Sequence, residues 1–190
     1  MYEVRFHGRG GQGAVTAAAM LAAALLEEGK YAVSIPSFGF ERRGAPVVSF
    51  LRCSDREIRQ LTNIYTPDCL ICVDPTLAKT VDIFGGLKPG GTLVQATNKP
   101  LAEVALSPSV ATVGLCDAIG IALQIFSKPI TNTLMLGAFA RTTGVVSLDA
   151  LKRSLEDSDF RDAGLKQNLL ALERGYNETA VYKIPQRAAA

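Results

Sequence analysis

Apolar and polar side chains alternate through YEVRFH, residues 2–7, the period of a half-buried strand. The glycine-rich GRGGQG of residues 8–13 follows, and then AVTAAAMLAAALLEEG. That run predicts a helix over 13–28, with Gly29 placed to end it. YAVSIPS (31–37) predicts a second strand stopping at Pro36, SFGFERRGAP (37–46) a loop, and PVVSFLR (46–52) a third strand closed by the polar CSDREIRQ. PDCLICVD (67–74) holds an unbroken apolar run between Pro67 and Pro75, as in a strand buried on both faces. LAKTVDIFGGL (77–87) predicts a helix running into the turn KPGG, and strands are predicted at 92–97 and 110–114. Beyond them the pattern is helical: 117–127, 132–142, 147–157 with Ser147 as its cap, and an amphipathic 162–178. Strands alternating with helices through the first two-thirds predict an α/β fold. Its expected form is a Rossmann-like, mostly parallel sheet flanked by helices, one domain over residues 1–184 with a tail at 185–190.

Two of these helices lack a polar face. Thr16 is the one polar residue in 14–26, and 132–140 is apolar after Asn132 and Thr133. A surface helix normally shows a charged stripe. The sheet covers one side of such helices; the other side is covered either by the two helices packing on each other or by another subunit, and the subunit is the expectation. The 37–46 loop suits an interface as well, with Phe38, Phe40, Arg42 and Arg43 as aromatic and arginine anchors. Arg42 and Arg43 equally suit a phosphate, and a plain solvated loop is the remaining reading.

Composition narrows the function classes. The 190 residues are 48% hydrophobic and 20% charged, with a net charge of +2, which gives no footprint for nucleic acid or a membrane surface. A single histidine, His7, excludes any site that needs two imidazoles from this chain. The sequence opens directly in a strand pattern with no visible signal peptide, and its four cysteines are expected to be reduced thiols in a cytoplasm. Cys69 and Cys72 form C-x-x-C, but inside a predicted strand residues three apart point to opposite faces, so core thiols are expected rather than a metal or redox pair.

The candidate chemistry lies in the glycine turn. Gly8, Gly10 and Gly13 satisfy G-x-G-x-x-G between a strand and a helix, where backbone N–H groups and the helix dipole favour an anion. A dinucleotide site also needs an acid near the end of the second strand to hold the ribose. Here that strand is YAVSIPS, and no acid appears before Glu41. Gln12 has an amide for a phosphate, a ribose or a neighbouring loop. A tight turn that only packs helix on sheet is the competing interpretation, and a stand-alone Rossmann-type nucleotide-binding enzyme is the alternative functional one.

The stretches FHGRGGQGAVTAAAMLA and IPSFGFERRGAPVVSFLR resemble the gamma subunit of the 2-oxoacid:acceptor oxidoreductases. The carriers are G-x-G-G-Q-G and P-S-[YF]-G-x-E-x-R-G, the latter filled by Pro36, Ser37, Phe38, Gly39, Glu41, Arg43 and Gly44. Further matches are the apolar strand ending at Asp74, KPGG, NTLMLGAF and QNLLALERGY, so the likeness spans Tyr2 to Tyr176. Phe40 and Ala45 depart from many relatives. The resemblance implies a complex that oxidatively decarboxylates a 2-oxoacid, of phenylglyoxylate or pyruvate type, with coenzyme A. It implies thiamine diphosphate and [4Fe-4S] clusters on alpha, beta and delta subunits, and ferredoxin as acceptor, or NAD through a separate flavin-bearing (FAD) subunit. It implies a structural and gating role for this chain, which binds none of those cofactors alone. The surface it would offer to the coenzyme A cleft comprises Gly8, Gly10, Gly11, Gln12, Gly13, Ser37, Glu41, Arg42 and Arg43, with no metal ligands and no catalytic residues.

Overall fold

The computed structural model describes residues 1–37, 44–157 and 164–185. The chain forms β1 (Tyr2–Arg9), α1 (Ala14–Glu27), β2 (Tyr31–Pro36), β3 (Pro46–Ser54), β4 (Cys69–Cys72), β5 (Gly91–Ala96) and β6 (Val110–Cys116). Then come α2 (Ala118–Phe126), α3 (Asn132–Thr143), α4 (Leu148–Glu156), α5 (Leu165–Glu178) and β7 (Ala180–Lys183). The strands make one seven-stranded sheet in the order β2-β3-β1-β4-β5-β6-β7. β1, β2, β4, β5 and β6 run one way; β3 and β7 run the other. The α/β class and the prevailing strand direction match the expectation from sequence.

β3 lies between β1 and β2 and is antiparallel to both. The first strand, helix and second strand therefore do not form adjacent parallel partners. In a dinucleotide-binding unit the ribose-holding tip of the second strand sits beside the first. Here the Pro46 end of β3 takes that place, paired with Arg9.

The alternation in β1 sorts the sheet into two faces. Val4 and Phe6 join Leu51, Ile71, Val94 and Ala96 in the main core, against residues from all five helices. The opposite face carries a second cluster of Leu70, Leu87, Leu93, Val113 and Leu115, covered by the β4–β5 and β5–β6 connections through Phe84, Leu101, Val104 and Leu106. Cys69 falls in the first core and Cys72 on the other face, so the two sulfurs diverge as expected for a strand. All four thiols are free and buried, and burial pushes Cys72 up to about 12 and Cys116 up to about 11.

Two expectations fail. Residues 77–87 make only a short 3-10 turn, Leu77–Lys79. Gly86 adopts φ 76 with the Tyr65 carbonyl against the space a side chain would fill, and the Ile83 and Gly85 carbonyls accept hydrogen bonds from the Arg5 guanidinium at 2.9 and 2.7 Å. Those carbonyls are unavailable to a helix ladder. β7 is also unanticipated: its four exposed residues show no burial alternation, and only pairing with β6 defines it.

The apolar helices part company. α3 is buried from Asn132 to Ala140 within the chain itself, chiefly by α5, so it needs no other subunit. This corrects the expectation for 132–140. α1 keeps an outward stripe of Thr16, Ala19, Ala23 and Leu26, all exposed.

The second face of β1 carries polar groups that are fully engaged. Arg52 Nε donates to Glu3 at 2.9 Å, and its other nitrogens reach the Gln60, Thr62 and Asn63 carbonyls. Lys88 bridges Asp68 at 2.9 Å and Glu3 at 3.5 Å. His7 Nε2 accepts from Arg5 Nε at 3.0 Å. Burial, and then the Arg5 charge, push the His7 imidazole down to about 4. Its unfolded value is about 6.5. Between these values the unfolded chain binds a proton that the folded chain refuses, so stability falls as pH drops through that window. We expect a loss on the order of 3 kcal/mol from pH 7 to 4 attributable to His7. Urea midpoints across that range, compared between the wild type and His7→Gln, measure it; parallel curves would refute it.

Candidate functional site

The glycine turn sits at the carboxyl edge of the sheet, where β1 leads into α1. Gly8 is packed tightly: a Cβ there would approach Val73 Cγ2 at 2.7 Å and Ala14 Cβ at 3.1 Å. Gly11 (φ 91) faces open space, and Gly13 (φ 76) is the N-cap of α1. Only glycine takes these backbone angles cheaply. Gly10 is fixed from the other side, its N–H donating to Ala45 O at 2.9 Å while its carbonyl accepts from Gly44 N at 3.2 Å.

Gln12 resolves toward the third of its sequence alternatives, a neighbouring loop. Its Oε1 accepts from Arg9 N at 2.7 Å, and its Nε2 donates to Asp74 Oδ2 at 2.9 Å. Arg9 also donates to Asp74 Oδ2, at 3.0 Å, and reaches Gly44 O and Thr76 Oγ1. Asp74 Oδ1 accepts from Thr76 N and Oγ1 at 2.8 and 2.6 Å. Burial opposes ionisation of Asp74, but the bonds from Thr76 and Gln12 and the Arg9 charge outweigh it and hold the carboxyl below its usual range. One carboxylate thus joins the glycine turn to the turn after β4, and Arg9 ties both to Gly44 ahead of β3.

Arg9, Asp74 and Thr76 were not singled out as site residues from sequence. The available signal was a charged residue placed directly after a buried apolar strand and before Pro75. Gly8, Gly10, Gly11, Gln12 and Gly13 do come together as expected. Ser37 lies just past β2, half-buried, its N–H donating to Val48 O at 3.3 Å. Glu41, Arg42 and Arg43 lie outside the described residues.

α1 has no side-chain cap and no acid in its first turn. A cavity of about 330 Å³ opens there, lined by Gly10, Gly11, Gly13, Ala14, Val15 and Thr16. Arg9 also lines it but is engaged with Asp74, Gly44 and Thr76. The cavity therefore offers a ligand the Thr16 hydroxyl and backbone N–H groups at the positive end of a helix, the chemistry that receives an anion.

A glycine turn braced by Arg9, Gln12 and Asp74 on a mixed sheet, with no acid at the tip of β2 among the described residues, differs from the site of the dinucleotide dehydrogenases. Residues 3–178 match the family model described as pyruvate ferredoxin/flavodoxin oxidoreductase, and the chain belongs to that family. Within it the chain is a gamma subunit of a 2-oxoacid oxidoreductase complex. It is 77% identical, over the full length of both chains, to the NADH-dependent phenylglyoxylate dehydrogenase subunit gamma of Aromatoleum evansii. It is 48% identical to the pyruvate/ketoisovalerate oxidoreductases common subunit gamma of Thermococcus kodakarensis, over 97% of this chain and 100% of that one. The crystal structure of pyruvate oxidoreductase subunit PORC from Thermotoga maritima superposes with a TM-score of 0.83 at 37% identity, covering 96% of this chain and 98% of that one.

Proposed function

We propose that this chain is the gamma subunit of a cytoplasmic complex that oxidatively decarboxylates phenylglyoxylate or a pyruvate-type 2-oxoacid with coenzyme A. The products are an acyl-CoA and carbon dioxide, and the two electrons released pass to NAD or ferredoxin. Thiamine diphosphate and [4Fe-4S] clusters sit on the alpha, beta and delta subunits, with FAD on an NAD-linked flavin subunit. This chain does no bond-making. It builds structure beside the reaction centre, and the glycine turn with Ser37, Glu41, Arg42 and Arg43 lines the coenzyme A cleft. The observation that carries the reading is the 77% identity, end to end, with a phenylglyoxylate dehydrogenase gamma subunit. The open first turn of α1 supports the anion-receiving part. The raised, core-buried thiols argue against cluster ligation by this chain. Among the described residues no helix is long and apolar enough to cross a membrane.

The outward stripe of α1 is the face proposed for the other subunits. Tagged wild-type chain, coexpressed with its neighbours, is expected to purify with larger chains bearing iron and thiamine diphosphate. Ala19→Arg with Ala23→Arg is expected to elute folded but alone. A wild-type chain that purifies alone would overturn the assignment; assembly that survives both arginines would move the interface elsewhere. In the assembled enzyme, Arg43→Ala is expected to raise the KM for coenzyme A several-fold, and an unchanged KM would remove the 37–46 loop from that cleft.

A further inference from the structure

A second cleft, of about 500 Å³, opens at the carboxyl ends of β4, β5 and β6, on the far side of the Asp74 turn from the glycines. Its walls are apolar: Pro75 and Ala78 after β4, Val104 before β6, and Ile119 and Leu123 on α2. Ile119 and Leu123 are 39% and 50% exposed, although α2 has its other side in the core. Gln95 also lines the cleft, from β5, and is only 7% exposed. Its carboxamide has no hydrogen-bond partner among the described residues. Its strand neighbours Cys72 and Leu115 are apolar, so packing alone would be served by another apolar residue. The carboxamide is not sealed in the core: it faces the open cleft, where water or a ligand can pair with it.

The position of this cleft in the fold has its own meaning. The chain leaving β5 crosses the face that carries Leu93 and Leu115, whereas the chain leaving β6 enters α2 and crosses to the other face. The strand order itself reverses between β1 and β4, beside the glycine turn; the crevice at β5 and β6 arises from their two connections leaving to opposite faces. Lys79 and Lys99 stand at the rim. Lys79 makes no ion pair among the described residues, and Lys99 meets only the exposed Glu103, at 3.7 Å. The N-terminus of α2 is not available for an anion, because the Asp117 carboxylate already accepts from Gly120 N at 3.1 Å.

From these observations we infer that the cleft binds an adenosine 5′-phosphate group. A carboxamide presents a donor and an acceptor side by side, the pairing that matches the N6/N7 edge of adenine. The apolar walls suit a flat base, Thr97 and Asn98 offer polar groups for a ribose, and the two lysines offer point charges for the phosphate. The volume falls within the range of small-molecule sites. The group could arrive as a free mononucleotide or as one half of a dinucleotide, and the test separates the two.

Titrate the isotopically labelled full-length chain with AMP, CMP, NAD and inorganic phosphate, following backbone amide shifts. AMP, or NAD, is expected to move Lys79, Thr97 and Gly120. Gln95→Met, which keeps the volume and the strand, is expected to weaken that binding about tenfold or more. The double variant Lys79→Ala with Lys99→Ala is expected to weaken it as well, without touching the core. Binding of AMP as tight as that of NAD marks a mononucleotide site; tighter NAD marks a dinucleotide half. The inference is overturned by silence toward both AMP and NAD up to about 5 mM, which leaves no affinity of consequence. It is equally overturned if CMP or phosphate binds as well as AMP, if Gln95→Met binds unchanged, or if the shifts fall at residues 10–16 instead.

Discussion

Gly175→Ala is expected to destabilise the chain by about 3 kcal/mol. The measurement is urea unfolding, with a lowered midpoint at unchanged slope. On propensity alone alanine would stabilise a helix interior by about 1 kcal/mol over glycine. The sign is reversed by what the new methyl would meet. A Cβ at Gly175 would collide with the Leu134 carbonyl, and one at Gly137 with the Leu172 carbonyl and the Tyr176 N–H. Each obstacle is backbone in the facing helix, so no rotamer change relieves it. The two helices would have to separate, and α3 is the element whose Leu134, Met135 and Phe139 fill the core at 0% exposure. Gly137→Ala is expected to behave alike. A variant as stable as wild type would mean that the crossing is looser than described.

Arg52→Leu is expected to lower stability by about 3 kcal/mol, at the lower end of what breaking a buried pair does. The Arg52 side chain is 4% exposed and Glu3 11%. Losing it leaves the Gln60, Thr62 and Asn63 carbonyls without their donor. Lys88 remains near Glu3 and moderates the loss. A double-mutant cycle with Glu3→Gln isolates the pair: the double variant is expected to be less destabilised than the sum of the singles. Strict additivity would show that Arg52 acts through the 60–63 carbonyls alone. Amide exchange in residues 55–66 is expected to quicken in Arg52→Leu, since no strand or helix holds that segment.

Local pattern made much of this fold legible. The alternation of residues 2–7, the glycines and the helix behind them announced β1, the turn and α1 within a residue or two. The four late helices followed from long apolar runs at 117–127 and 132–142, the Ser147 cap and the amphipathic pattern of the last. What sequence alone could not show depends on distant partners. Residues 77–87 read as a helix because nothing local reveals that Arg5, some eighty positions upstream, takes the carbonyls of Ile83 and Gly85. α3 read as an interface helix because the apolar pattern does not say which surface covers it; Gly137 and Gly175 were the clue, a glycine in each of two helices that meet. At the site, the glycines were legible because their backbone requirements are local. The roles of Gln12, Arg9 and Asp74 were not, since the carboxylate reaches the turn from another strand. Gln95 carried no signal at all in a strand read only for its apolar neighbours.

The backbone contact between α3 and α5 limits how this protein can move. Helices shear past one another by trading rotamers in the side-chain layer between them. Where peptide groups touch directly there is no such layer and no alternative register nearby. α3 and α5 are therefore built to travel as one solid piece. Among the described residues, internal motion is left to the turns at the carboxyl edge rather than to sliding of α3 on α5.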